Sequence, residues 1–174
     1  MDFWQVIEAR HSVRNFEPDV AVPPETVERL LEAATRAPSA GNRQPWHFYV
    51  VRDPVVRQGL ADAAWGQSFV AQAPVAIVVC ADAGQSAGRY GERGRELYCL
   101  QDTAAAAEHI LLAAVALGLG GCWVGAFDED HASRVMSLPK QHRPIAILPI
   151  GQPAREKTTP TPRQPLKEVV SYVG

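Results

Sequence analysis

Gly118-Leu119-Gly120-Gly121-Cys122-Trp123-Val124-Gly125-Ala126-Phe127 is the stretch on which the choice of fold turns. A dinucleotide-binding turn needs a strand before its glycines and a helix after them. Here the order is reversed. Upstream, residues 99–117 are rich in Ala and Leu and apolar nearly all round, which predicts a helix covered on more than one side and stopped at Gly118. Downstream, residues 122–127 predict a strand, Asp128 caps a short helix to about residue 138, and residues 145–150 form another buried strand. A doubly wound nucleotide fold is excluded by this context. Gly125 and Ala126 are small enough for backbone to approach a planar ligand, although glycines that close a helix are ordinary.

Working outward, Asp2 caps a first helix with Phe3, Val6 and Ile7 at helical spacing, and the pattern stops at Arg10. Residues 10–14 favour extended chain. Pro23-Pro24 opens a second helix that buries Val27, Leu30, Leu31 and Ala34 and ends before Pro38. The turn-forming loop 38–46 leads into a strand at 47–51. Asp53-Pro54 starts a third helix to about residue 65, and 75–80 reads as a strand buried on both faces. Residues 83–96 hold four glycines and no apolar periodicity, which predicts a loop or lid. The tail 151–174 is rich in Pro and Thr, carries Arg155, Lys157, Arg163 and Lys167, and ends in an expected edge strand at 166–173. A domain ending at residue 150 leaves this tail without a partner, so it is expected to wrap a second subunit. The helix and strand alternation is α/β in character, and no repeat or linker divides the chain, so 1–174 is expected to be one domain.

With 174 residues, 47% of them hydrophobic, the chain can bury one sizeable core. A net charge of −2 supplies no basic field, so neither nucleic acid nor an anionic membrane is suggested as a partner; a small molecule fits better. Cys80, Cys99 and Cys122 are odd in number, sit in apolar surroundings and lack CxxC spacing, against both a disulfide framework and a zinc site. No export signal is read at the N-terminus, and the 99–118 stretch carries Gln101, Asp102, Glu108 and His109, so a cytoplasmic protein without a membrane span is expected. His11, His47, His109, His131 and His142 have no metal-ligand spacing, and no nucleophile elbow or P-loop accompanies them.

Alternation along 10–14 projects Arg10, Ser12 and Arg14 to one side and His11 and Val13 to the other. Two guanidiniums and a hydroxyl make an anion site suited to phosphate. The competing reading is that cations after a helix simply complement its negative end, worth about 0.3–1 kcal/mol each. In the loop, Ser39, Asn42 and Gln44 offer donors and acceptors that match the edge of a heterocycle. They equally suit a polar turn. Arg163 alone is an ordinary solvated cation, and Trp65, Phe69, Tyr90 and Tyr98 suit a pocket wall or the core.

Four motifs in order, Arg10-His11-Ser12-Val13-Arg14, the run from Ala37 to Trp46, Cys122-Trp123-Val124-Gly125-Ala126-Phe127-Asp128, and Pro162-Arg163-Gln164-Pro165-Leu166, together resemble the FMN-dependent nitroreductase family over almost the whole chain. The resemblance implies an α+β fold with a central, mostly antiparallel sheet flanked by helices, in an obligate homodimer that exchanges C-terminal segments of about 151–174 and holds FMN at the subunit interface. It implies FMN contacts at Arg10, His11, Ser12, Arg14, Pro38, Ser39, Asn42, Gln44, Val124, Gly125, Ala126 and Arg163. Arg10 and Ser12 would take phosphate and ribityl, Arg14 the N1 and O2 side of the flavin, and Asn42 and Gln44 flavin or ribityl from the other subunit. Pro38 and Ser39 would lie near the ring edge, Val124-Gly125-Ala126 near N5 and O4, and Arg163 over the phosphate. NAD(P)H would be the electron donor and a small organic molecule, such as a nitroaromatic or quinone, the acceptor, in a ping-pong cycle with no catalytic side chain. An FMN storage or sensor protein, or a relative with other flavin chemistry such as reductive dehalogenation, is the alternative. Two features depart from the family pattern. Segment 83–96 is short beside the insertion of larger relatives, and Thr161 stands where a second tail cation is common.

Overall fold

The computed structural model describes residues 1–154 and 161–174. In chain order its elements are α1 (Phe3–Ala9), α2 (Pro24–Thr35), a 3-10 turn (Ala40–Asn42), β1 (Trp46–Val51), α3 (Pro54–Ala63), α4 (Phe69–Gln72) and β2 (Val75–Asp82). They continue with α5 (Ala83–Arg93), a π-helical turn (Gly94–Tyr98), α6 (Cys99–Ala116), β3 (Gly120–Gly121), α7 (Glu129–Met136), β4 (His142–Gly151) and α8 (Leu166–Val169). Arg155 and Lys157, read above as tail cations, lie outside the described residues.

The strands stand in the order β1-β2-β4-β3, every neighbouring pair antiparallel. The α/β alternation of the sequence therefore folds as α+β, with helices on both faces. β2 shows why its sequence is apolar without interruption. Val75, Ile77 and Val79 enter the layer with α2 and α6, while Ala76, Val78 and Cys80 enter the opposite layer with α3, α4 and α7. Both sets are fully buried. α6 contributes Ala106, Ala107, Ile110, Leu111 and Ala114 to the first layer. Among the described residues no helix is long and apolar enough to cross a membrane, and the three cysteines are buried and free.

Several sequence expectations are corrected. The presumed loop or lid at 83–96 is helical. Asp82 caps α5 through the N–H groups of Gly84 and Gln85 at 2.9 and 3.2 Å. The chain turns at Gly91 and folds back through the π-helical turn, with Tyr90 and Tyr98 packed edge to face at 5.2 Å. Polar and aromatic contacts hold this hairpin, so it carries no apolar stripe to read. The expected strand 122–127 shrinks to β3 and a single bridge from Val124 to Ile147, because the chain leaves the sheet to bond Ala63 through the Asp128 N–H. The third helix stops at Ala63, and α4 was not anticipated. The expected edge strand 166–173 begins instead as α8, directly after Pro165.

Candidate functional site

Residues 10–16 run beside β3. Ser12 forms a parallel bridge with Gly121, Val13 N–H donates to Gly121 O at 3.0 Å, and Phe16 bridges Pro153. Gly120 makes this approach feasible: a Cβ there would fall 2.5 Å from Val13 Cγ2 and 2.9 Å from Pro153 Cγ. The twin glycines are thus explained by chain packing. Val13 and Phe16 join the core layer that also contains Phe69, Cys122, Val124 and Phe127. His11, which alternation assigned to the side of Val13, borders the cavities that Arg10, Ser12 and Arg14 line. All three act on the buried Cys122 thiol, whose pKa is raised by burial and eased down by Arg14, the Ser12 hydroxyl and Arg10.

A cavity of about 470 Å³ opens here, lined by Ile7, Glu8, Arg10, His11, Ser12, Thr161 and Arg163. A second of about 300 Å³ adjoins it, sharing His11 and Ser12 and adding Val13, Arg14, Asn15, Pro153 and Ala154. His11 faces both, with Nδ1 held 2.8 Å from Ala9 O. Arg10 keeps a loose ion pair with Glu108 at 3.8 Å. Arg163 Nη1 donates to Thr161 O and Pro162 O at 2.9 and 3.3 Å, which sets its guanidinium in the first cavity. The structure therefore brings together Arg10, His11, Ser12 and Arg163, with Arg14 beside them. Sequence reasoning missed Ile7 and Glu8 in this wall.

Arg14 lies over Phe69, its guanidinium carbon 5.9 Å from the ring centre. Gln67 donates from one amide nitrogen to Ala64 O and Ala126 O, both at 3.1 Å, tying the turn after α3 to the 124–126 strip. Val124 is buried, Gly125 and Ala126 are exposed, and the Trp123 indole lies over Gly125. Trp65, one proposed pocket wall, is mostly exposed on a left-handed turn, whereas Phe69 belongs to the core.

The 38–46 loop forms a separate surface; neither cavity above includes any of its residues. Asn42 and Gln44 both have positive φ, 56° and 51°, a conformation costing about 1–2 kcal/mol per non-glycine residue. Tertiary ties hold them there. The Ala40 N–H donates to both carboxylate oxygens of Asp102 at 3.1 Å, the Gln44 N–H donates to Ser39 Oγ at 3.0 Å, and the Gln44 amide reaches Asn42 Oδ1 at 3.3 Å. Gly41, with φ 55°, accommodates Tyr90, whose hydroxyl would sit 2.4 Å from any Cβ added there. Asp102 is buried, and burial raises its pKa while the Ala40 N–H opposes the rise. The signal for it was present in the sequence as one of two acids in a mostly apolar helix. Pro38 is exposed and Ser39 half-buried; Asn42 and Gln44 face solvent.

The nitroreductase family model matches residues 7–69 and 62–152. A Methanothermobacter thermautotrophicus protein whose name couples NADH dehydrogenase with NAD(P)H nitroreductase is 35% identical, across 91% of this chain and 81% of its own length. A Thermus thermophilus protein named NADH dehydrogenase is 33% identical, across 94% of this chain and 92% of its own. The crystal structure of a nitroreductase family protein from Streptococcus pneumoniae superimposes with a TM-score of 0.88 at 27% identity, covering 98% of this chain and all of that one, 100%. With the sheet order, the Arg10 to Arg14 strip and the family match in agreement, the chain belongs to the nitroreductase family.

Proposed function

We propose that the protein is an FMN-dependent oxidoreductase that passes electrons from NAD(P)H to small organic acceptors such as nitroaromatics or quinones, working as a homodimer in the cytoplasm. The observation that carries this reading is the convergence of Arg10, Ser12 and Arg163 on one cavity. Two guanidinium forks and a hydroxyl are a donor set for a phosphate dianion, and the cavity's volume exceeds what a phosphate alone needs. His11 lines both cavities with its Nδ1 engaged to Ala9 O, and its imidazole suits ribityl oxygens. When bound, FMN would supply two-electron redox chemistry, which explains why the site needs no side-chain nucleophile. Arg14 places fixed positive charge beside Phe69, where it would favour an electron-rich ring. Asn42 and Gln44, held in strained conformations and turned outward, suit the ring edge of a flavin bound across a subunit interface.

Surfaces left over support the dimer reading. α6 is apolar nearly all round, β1 is an open sheet edge, and Phe3, Trp4, Leu166, Tyr172 and Val173 are exposed. A tail exchanged with a second copy would cover them.

Anaerobic addition of NADH or NADPH to the purified yellow protein tests the reading. Bleaching of the flavin band, and its return when a quinone is added, is expected. A yellow protein that neither nucleotide bleaches would be a flavin-binding module instead.

A further inference from the structure

The hairpin of α5 and the π-helical turn places arginines where the oxidoreductase reading has no assigned residue. We propose that Arg43 and Arg89 form an anion site for the phosphate groups of the dinucleotide donor, at the rim of the 38–46 loop. The proposal rests on that reading, since it takes the loop to border the reaction site.

Both side chains cross between loop and hairpin. Arg43 Nε donates to Gln85 O at 2.9 Å, and its Nη2 lies 3.9 Å from where a Cβ would stand on Gly88. Arg89 comes from the other direction: its Nη1 lies 3.1 Å from where a Cβ would stand on Gly41. Each guanidinium is held by something other than an acid. Arg89 lies over Tyr90, 5.5 Å from the ring centre, and Arg43 is anchored by a carbonyl. Among the described residues neither has a carboxylate within 4.0 Å, unlike Arg10, Arg95 and Arg143. Arg93 adds a third cation on the same hairpin, stacked on Tyr98 at 5.3 Å and donating to its hydroxyl at 2.8 Å.

A chain of net charge −2 thus concentrates acid-free guanidiniums beside Gly41 and Asn42. Arg43 and Arg89 are exposed yet oriented, which lowers the ordering cost of binding an anion. A nicotinamide that reaches the reaction site leaves its ribose and phosphates trailing toward solvent. Cations on an exposed rim therefore match the phosphates better than the reacting ring. The pyrophosphate and a 2′-phosphate share this chemistry, and the two are separable by probe.

Calorimetric titration of the flavin-loaded protein with 2′,5′-ADP and with ADP is the test, on wild type, Arg89→Ala, Arg43→Gln and the distant exposed control Arg134→Ala. Flavin content is recorded for every sample, so a protein without flavin counts against the oxidoreductase reading while the titration still reads the arginine site. Each site variant is expected to bind 2′,5′-ADP about tenfold more weakly, the scale of losing one charge-assisted phosphate contact, with the control unchanged. Loss with both probes assigns the pyrophosphate; loss with 2′,5′-ADP alone assigns the 2′-phosphate and a preference for NADPH. The KM for NADPH should rise by a similar factor while the rate of flavin reduction at saturation holds. Wild-type protein that binds neither probe, or site variants that bind like wild type, would overturn the proposal.

Discussion

His47, Tyr49 and His142 meet at one end of the sheet. The two imidazoles stack with centres 4.2 Å apart, and the Tyr49 hydroxyl lies 2.6 Å from His142 Nδ1. Burial lowers the His142 pKa, the neighbouring His47 lowers it further, and Asp82 opposes both. A histidine whose folded pKa is depressed contributes stability that is full above the ordinary value of 6.5 and is lost as pH falls through the depressed one. Stability measured by chemical denaturation should therefore decline as pH falls below 6.5, and His142→Gln should decline less over the same range. Identical pH profiles would remove His142 from this account. None of this was legible in the sequence, where His47 and His142 stand 95 positions apart among five scattered histidines. Their meeting depends on the register Asp82 to His142 and His47 to Cys80 across β2. Asp102 was half legible: its polarity marked α6 as no membrane span, but its partner Ala40 lies across the fold.

Among the elements, those with strong periodicity or caps were readable, and those held by contacts distant in sequence were not. β2 announced itself through an unbroken apolar run, and α2 through its proline start and apolar face. α5 did not, because it is held by polar contacts to the loop: in the orientation that satisfies both amide ends, the Gln85 nitrogen reaches Gln44 O at 2.9 Å and Arg43 O at 3.2 Å. β3 was misjudged in length because its glycines serve a neighbouring strip and not a long ladder. That packing yields a prediction. Gly120→Ala drives a methyl into the stiff Val13 side chain and should cost about 1–3 kcal/mol, the usual scale of overpacking. Val13→Ala in the same chain should restore part of the loss. A double-mutant cycle with no coupling between the two sites would contradict the close approach.

For the molecule as a whole, the four family motifs were legible because they are local, and the structure gathers three of them: 10–14 and 122–126 meet along β3, and Arg163 shares a cavity with Arg10. The 38–46 loop lines neither of the two cavities beside residues 10–14. The described tail 161–174 is exposed throughout, with Tyr172 at 96% and Val173 at 99%. Apolar residues so open are expected to be covered in solution. Sedimentation should therefore give twice the chain mass of 18.9 kDa, and a chain ending at residue 160 should lose both dimer and flavin. A truncated chain that stays dimeric would place the interface elsewhere.

The central claim is that the cavity of Arg10, Ser12 and Arg163 holds the phosphate of FMN. Its most direct test is titration of FMN into flavin-free protein, followed by the visible absorbance of the bound flavin, for wild type and Arg10→Ala. One FMN per chain is predicted for wild type, with affinity at least tenfold weaker in the variant, on the order of one lost charge-assisted hydrogen bond. Wild-type protein that binds no FMN, or a variant that binds it equally well, would contradict the account.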